Sequence, residues 1–396
     1  MGILSKEKII LTPVVVLSTH LMGYGVIRSL GRMGVPVIAV YYQKKDMGYV
    51  SKYVKKKIFF PHPEFNEKDF LHSLVELNKE IGRCVIIPAD DSTLAVVSRN
   101  YQLLSDIYTL GCPNWEVAQK YLIKRYTYKI AENVGVEYPK TYYYTETDHF
   151  QNLDIKFPVL VKPCQSHKYY SAFNTKMTVV ENYPALEEAC RLSKKNDIEV
   201  MIQEIVIGEE KNGINYNSLM INGEIIADFT AQKIRYTPSC YGVPCSTESI
   251  DPIPGIKEAS EKVLRAMNFE GYSCIEFKKD EKDHRYKLLE INGRFNRSIM
   301  HATAAGINFP WLYYHYITRG TLPGFNKEYK RNMYWIDESH DPIICFKNHN
   351  KHNVIQLLKP YLGKKVYANF DLKDMKPFLK RITDVFKCLL NNIKKS

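Results

Sequence analysis

The chain has 396 residues, 45% hydrophobic and 25% charged, with 55 Lys and Arg against 43 Asp and Glu for a formal charge of +12. That length holds two or three domains with a sizeable core, and the composition excludes a disordered or collagen-like chain. No stretch reaches the roughly 18 uninterrupted apolar residues of a membrane-spanning helix. The basic residues are spread out, without a zinc-finger, RNP-type or basic-heptad motif, so no nucleic-acid partner is expected, although the charge keeps that class as an alternative. Nine cysteines without a CxxC pair fit a reduced, cytoplasmic protein.

The opening MGILSKEKIILTPVVVLSTH carries an apolar run too short, and broken by Pro13, for a signal peptide, and reads as leading into the first strand. Its first six residues come close to the crude N-myristoylation pattern, with Ser5 one place ahead of the pattern's Ser or Thr. Residues 13–42 read as strand, glycine turn, amphipathic helix and strand, with Val14 to Leu17 and Val37 to Val40 as buried parallel-strand runs. The Gly23-Tyr24-Gly25 turn lacks the third glycine of a dinucleotide fingerprint, since Arg28 stands there, and is read as a tight connection only. CVIIPADDSTLAVV, residues 84–97, repeats the theme: a strand ending at Pro88, then Asp90, Asp91 or Ser92 capping a helix. Residues 1–115 are expected to form an open, parallel α/β domain.

Beyond residue 120 the texture changes. A helix ending near Gly135 precedes FPVLVKPCQSHKYYSAFNTKMTVV (157–180), read as strand, polar loop and strand. PALEEACRLSKK is a helix opened by Pro184, and residues 199–235 alternate strands with turns at Asn212-Gly213 and Asn222-Gly223, the second a strong hairpin signal. YSCIEFKKDEKDHRYKLLEINGR (272–294) is a further hairpin turning near Lys282–Asp283, which sets Glu276 opposite the Leu289–Glu290 end of its partner. Alternation then puts Leu288, Glu290 and Asn292 on one face. Two carboxylates and an amide oxygen from adjacent strands suit Mg²⁺, a hard ion commonly held by one or two carboxylates plus phosphates. Lys124, Lys162 and the arginines at 294 and 297 supply the cations that phosphoryl transfer requires.

The order Lys124, FPVLVKP, IQEIVIGEE, IEF, LLEINGRFNRS and HATAAGINFP resembles the ATP-grasp superfamily over roughly residues 10–320. The last block is similar to carbamoyl-phosphate synthetases and to stand-alone carboxylate–amine ligases of the D-aspartate ligase kind. The resemblance implies a pre-ATP-grasp α/β domain (1–115), then a two-lobed α+β ATP-grasp fold. Its small lid subdomain would span 116–205 and its large subdomain, with the metal site, 206–325. A C-terminal extension (326–396) would end in a basic amphipathic helix. It further implies that Lys124 and Lys162 contact ATP phosphates, that Glu204 and the Val206 backbone bind adenine, and that Glu210 holds the ribose. Glu276, Glu290 and Asn292 would hold one or two Mg²⁺, with Mn²⁺ as a substitute. Arg294 and Arg297 would grip the acceptor carboxylate or the phosphoryl group, with Lys233 and Arg235 facing the γ-phosphate.

The implied activity is amide formation through an acylphosphate, joining an amine to a carboxylate of an amino acid or of a cell-surface glycan or peptide precursor. The phosphate-covering segment 164–176 departs from the family pattern, having no glycine; Ser166, Lys168 and Ser171 are its candidate donors, and Tyr169 and Tyr170 are read as packing residues. A non-catalytic ATP-binding sensor or scaffold is the alternative. His167 and His301 are proton-transfer candidates, with structural roles favoured. The apolar stripe Phe378, Leu379, Ile382, Val385, Phe386, Leu389, Leu390 and Ile393 is expected to dock on the body of the protein. The alternative for residues 375–395 is adsorption to the inner face of an anionic membrane. A homodimer is a further expectation from the resemblance.

Overall fold

The computed structural model describes residues 11–143, 154–237, 242–347 and 354–393, and, within those, not the side chains of 166–168, 171 and 385–393. The myristoylation-type opening, the candidate donors Ser166, Lys168 and Ser171, His167 and the stripe beyond Asp384 therefore lie outside the described residues.

Strands β1 (Val14–Leu17), β2 (Val37–Tyr41), β3 (Val54–Phe59), β4 (Val85–Pro88) and β5 (Thr109–Leu110) form a parallel sheet in the order β3-β2-β1-β4-β5. β1 is buried along its whole length, which a parallel strand covered on both faces requires, and explains its unbroken run of valines and leucine. The chain reverses direction across the sheet between β1 and β4. The crevice at the carboxyl ends of those two strands is where open α/β sheets receive ligands. Asp90 caps the helix Asp91–Arg99 there by accepting from the Thr93 N–H at 2.8 Å.

β6 (Thr141–Tyr143), β7 (Val159–Pro163), β8 (Thr178–Val180) and β9 (Val200–Glu204) make a second, antiparallel sheet in the order β6-β9-β7-β8. The helix Tyr183–Lys195 covers it, and Val159, Val161, Leu186 and Ile202 close an apolar core of their own. The segment after Lys162, expected as a loop, is a helix over Ser166–Phe173. Without glycine or proline nothing interrupts it, and Tyr169 anchors it: the residue is 2% exposed, stacks near Phe173 one turn on, and meets Thr178 Oγ1 at 2.6 Å. Tyr170 points outward, 55% exposed.

The third sheet joins β10 (Gly213–Ile221), β11 (Glu224–Thr237), β12 (Val243–Ser249), β13 (Gly271–Lys279), β14 (Tyr286–Asn292), β15 (Met333–Ile336) and β16 (Lys364–Tyr367) in the order β14-β13-β10-β11-β12-β15-β16. Asn222 and Gly223 both adopt positive φ, the conformation of a two-residue turn that matches strand twist, and close the β10–β11 hairpin as expected. Asn212-Gly213 is no hairpin turn: Asn212 ends a 3-10 turn that hands the chain from the second sheet to the third. Residues 326–396 do not stand apart from this sheet, because β15 pairs with β12 and β16 with β15. The final helix, Met375–Ile393, begins docked: Phe378 meets Phe370 at 5.1 Å and Lys380 lies over the Tyr49 ring, while Leu379 stays 54% exposed. Among the described residues no helix is long and apolar enough to cross a membrane.

The first and third sheets share one core, in which Val14, Val16 and Ile27 touch the same cluster as Phe229, Ile299 and Phe309. The Gly23-Tyr24-Gly25 triplet makes that contact. It lies inside the helix Leu21–Arg32, not in a turn. A Cβ on Gly23 would sit 1.9 Å from the Ser18 carbonyl oxygen, and one on Gly25 would sit 2.5 Å from Ile299 Cγ2. The glycines are there for close approach of helix to strand and helix to helix. Gly25→Ala is therefore expected to destabilise the protein by about 1–3 kcal/mol through overpacking, read as a lower thermal midpoint. The same change in an Ile299→Ala background, where the obstructing methyl is gone, is expected to add less.

Candidate functional site

A cleft of about 1330 Å³ opens where the three sheets meet. Its floor is the β13–β14 hairpin. The register pairs Glu276 with Glu290 and Cys274 with Asn292, and a bulge places Leu288, not Leu289, opposite Phe277. The extra residue resets the alternation. Leu288 and Ile291 both enter the core, at 0% and 2% exposure, while Leu289, Glu290 and Asn292 line the cleft. Leu288 therefore does not share a face with Glu290, contrary to strict alternation. The bulge also frees the Leu289 carbonyl to accept from Tyr128 Oη at 2.6 Å and from Lys162 Nζ at 3.5 Å.

Each carboxylate of the pair is met by an ammonium. Lys124, first residue of the helix Lys124–Asn133, reaches Glu290 Oε1 at 2.8 Å. Lys233, from β11, contacts Glu276 Oε2, whose other oxygen lies 3.4 Å from Asn292 Nδ2. Lys162, from β7, sits between them, bonded to Tyr128 Oη and Gln203 Oε1 at 3.3 and 3.4 Å. Burial alone would raise the Glu290 carboxyl, but Lys124 and Lys162 outweigh it and hold it well below the usual range. Burial lowers the Lys162 ammonium against the pull of Glu290 and Glu276. It would lower Lys233 too, but Glu276 reverses the direction. By type the donor set fits a hard cation: two carboxylates and the Asn292 amide oxygen, which here faces Arg294. Among the described residues no group of three or more His, Cys, Asp or Glu side chains is placed to hold a metal, so an ion here would draw further oxygens from phosphate.

The hinge residues Gln203 to Ile207 follow β9 along one wall, with Glu204, Val206, Glu209 and Glu210 all facing the cleft. The Val206 carbonyl accepts from Lys278 Nζ at 2.9 Å. Leu160, Met177, Ile205 and Leu289 add apolar surface beside them.

The three arginines are each held by a carboxylate from elsewhere. Arg294 forms a bidentate pair with Asp91 at 2.7 and 2.9 Å and touches Asn292 Oδ1 at 3.1 Å. Arg297 bonds Asp337 at 2.7 Å while its buried Nε has no partner. Arg235 is bidentate to Asp341, at 2.8 and 2.7 Å, with side chains 6% and 0% exposed, and Asp341 also accepts from Tyr361 Oη. Arg235 thus edges the cleft with its fork already engaged. His301 is fully buried, with Nδ1 on Thr247 and Nε2 on the Met333 carbonyl, and burial lowers its pKa to about 4. It is a core histidine.

The sequence reading missed Asp91, Lys176, Lys278, Asp337 and His340, all of which line the cleft. Asp91 had a signal, its place just past the carboxyl end of β4, but the pairing of β4 with β1 that makes this end a ligand crevice is tertiary. Cys164, next after Pro163 at the end of β7, is fully buried.

Asp341→Ala strands the Arg235 guanidinium in the interior and is expected to cost about 3–5 kcal/mol, read by thermal unfolding. The double change Arg235→Met with Asp341→Leu is expected to recover most of that loss. The lowered Glu290 carboxyl has its own consequence: its stabilising contribution is complete above the ordinary glutamate pKa of about 4.3 and disappears as pH falls through the lower folded value. Lys124→Met removes the largest of the charges that oppose burial, leaving Lys162. The Glu290 carboxyl is then expected to titrate at higher pH, as followed by ¹³C resonance of its labelled δ-carbon.

Comparison with known proteins agrees with this geometry. Residues 243–337 match the family model "ATP-grasp in the biosynthetic pathway with Ter operon". D-aspartate ligase of Enterococcus faecium is 22% identical over 304 residues, covering 68% of this chain and 67% of that protein. Among solved structures, L-amino acid ligase from Bacillus licheniformis superposes with a TM-score of 0.61 at 15% identity, covering 78% of this chain and 74% of the other. Biotin carboxylase from Campylobacter jejuni, solved as a complex with a β,γ-ATP analogue, gives 0.64 at 16% identity over 82% and 74%. The chain therefore shares the fold of these enzymes, and over residues 243–337 it is similar to the ATP-grasp family.

Proposed function

We propose that the chain is an ATP-dependent carboxylate–amine ligase that forms an amide through an acylphosphate and releases ADP and phosphate. The observation that carries this reading is the Glu276–Glu290 pair, set opposite each other by strand register and flanked by Lys124, Lys162 and Lys233. In this reading adenine lies between Leu160, Met177 and Leu289, against the hinge at Glu204 and Val206. Glu210 takes the ribose, and Lys124 and Lys162 turn from Glu290 toward the phosphates. Glu276, Glu290 and Asn292 would hold one or two Mg²⁺, or Mn²⁺ in its place, which when bound screens charge between phosphate oxygens.

Arg294 and Arg297 face the reacting carboxylate, and their fixed carboxylate partners keep both guanidinium planes oriented before substrate arrives. Lys233 neutralises charge at the transferred phosphoryl group. Arg235 acts from behind, fixing the residues around Asp341. The D-aspartate ligase relative supports an amino acid as one substrate; a cell-surface glycan or peptide precursor is the proposed other. A homodimer, and a cytoplasmic protein meeting a lipid-linked precursor at the inner membrane face through residues 375–395, belong to the same reading. The second reading, a nucleotide-binding scaffold, is favoured by one observation: the glycine-free segment over the phosphates is helical.

ADP release measured across a matrix of carboxylates and amines separates the two. One pair is expected to stimulate release, and Glu290→Gln to reduce it by about 10²–10³-fold, the usual scale for removing one electrostatic contact at a transferring group. Magnesium-ATP binding without stimulation by any pair would favour the scaffold.

A further inference from the structure

An attacking amine arrives at neutral pH as an ammonium ion and must lose a proton before its nitrogen is nucleophilic. Most ionisable groups on the cleft are already committed. Glu276 and Glu290 face lysines, Asp91 and Asp341 are forked onto Arg294 and Arg235, and His301 has both ring nitrogens engaged in the core. His20 accepts from the Met22 N–H through Nδ1 and sets Nε2 3.6 Å from Asp90.

His340 differs. It opens onto the cleft with 35% of its side chain exposed, just ahead of the helix Asp341–Lys347. Its Nδ1 lies 3.0 Å from Asp337 Oδ2, placed to donate to that carboxylate, which in the neutral ring leaves the lone pair on Nε2. Among the described residues no hydrogen bond is made to Nε2. Asp337 is 1% exposed and fixed by the Ser339 N–H at 3.2 Å, and the oxygen that orients His340 also accepts from Arg297 at 2.7 Å. One buried carboxylate thus aligns an open imidazole and a guanidinium whose buried Nε is unpartnered.

We propose that His340, oriented by Asp337, is the base that deprotonates the acceptor amine, beside the carboxylate held by Arg297. This rests on the ligase reading. His340 Nε2 takes one proton from R–NH₃⁺. The nitrogen lone pair then forms the C–N bond at the acylphosphate carbonyl, and the C–O bond to phosphorus breaks with its electron pair leaving on phosphate. The second N–H proton goes to that phosphate, and the imidazolium returns its proton to solvent.

The test exchanges the nucleophile. Hydroxylamine is largely unprotonated at neutral pH and needs no base to trap an acylphosphate as hydroxamate. With the carboxylate found active in the wild-type protein, His340→Gln is expected to lower amide formation by about 10²-fold or more while hydroxamate formation stays near the wild-type rate. His340→Ala is expected to regain amide formation with added imidazole. Equal loss of amide and hydroxamate, or loss of neither, overturns the assignment and leaves the ligase reading standing. A wild-type protein that yields neither product with any carboxylate removes both.

Discussion

Two carboxylates facing each other across a hairpin repel unless something holds them, and in this protein three lysines do. Lys124 comes from the helix that follows the first sheet, Lys162 from the second sheet and Lys233 from the third. The acid pair therefore serves as an electrostatic knot for all three parts of the molecule. Neither side tolerates burial alone, since an isolated charge away from water costs several kcal/mol. Together they offset one another, and the same cations are of the kind a polyphosphate would recruit.

The arginines extend this logic outward. Arg294 is tied to the first sheet through Asp91, whereas Arg235 and Arg297 are tied through Asp341 and Asp337 to the segment after β15. A guanidinium has five donors in a rigid fork, so two can be used for anchoring while others still face a ligand. What looks like neutralisation of these cations is also their preorganisation. The residues beyond 326 complete the cleft for the same reason: they add β15 and β16 to the large sheet, bring Asp337 and His340 to the cleft and set Asp341 behind Arg235. The lobe around β7 and β9 instead has its own apolar core, so its wall of the cleft is packed independently of the arginine-lined side.

Several local features were legible from residue type alone. The valine-rich β1 and β2, the Asp90 cap, the Pro184 helix start and the Asn222-Gly223 turn all formed as their chemistry dictates. The hairpin that sets Glu276 opposite the Leu289–Glu290 end was legible too, because the turn fixes the register to within one residue. The bulge at Leu289 was not, since it depends on what lies beneath: Leu288 and Ile291 both find apolar neighbours, and only an extra residue lets both turn inward. The helical segment at 166–173 and the helical Gly23-Tyr24-Gly25 escaped for a related reason, as packing of Tyr169 and the approach of Ile299 lie outside any local window.

The sequence by itself determined most element types, the acid-bearing hairpin and, through the order of motifs, the resemblance to the ATP-grasp superfamily, because these follow from nearest neighbours and short periodicities. Only the tertiary structure decided which acid meets which base. Asp91 lies 203 residues from Arg294 and Asp341 lies 106 from Arg235. No periodicity spans such distances; sheet order and helix packing bring the partners within hydrogen-bonding reach, and at that range electrostatics select them.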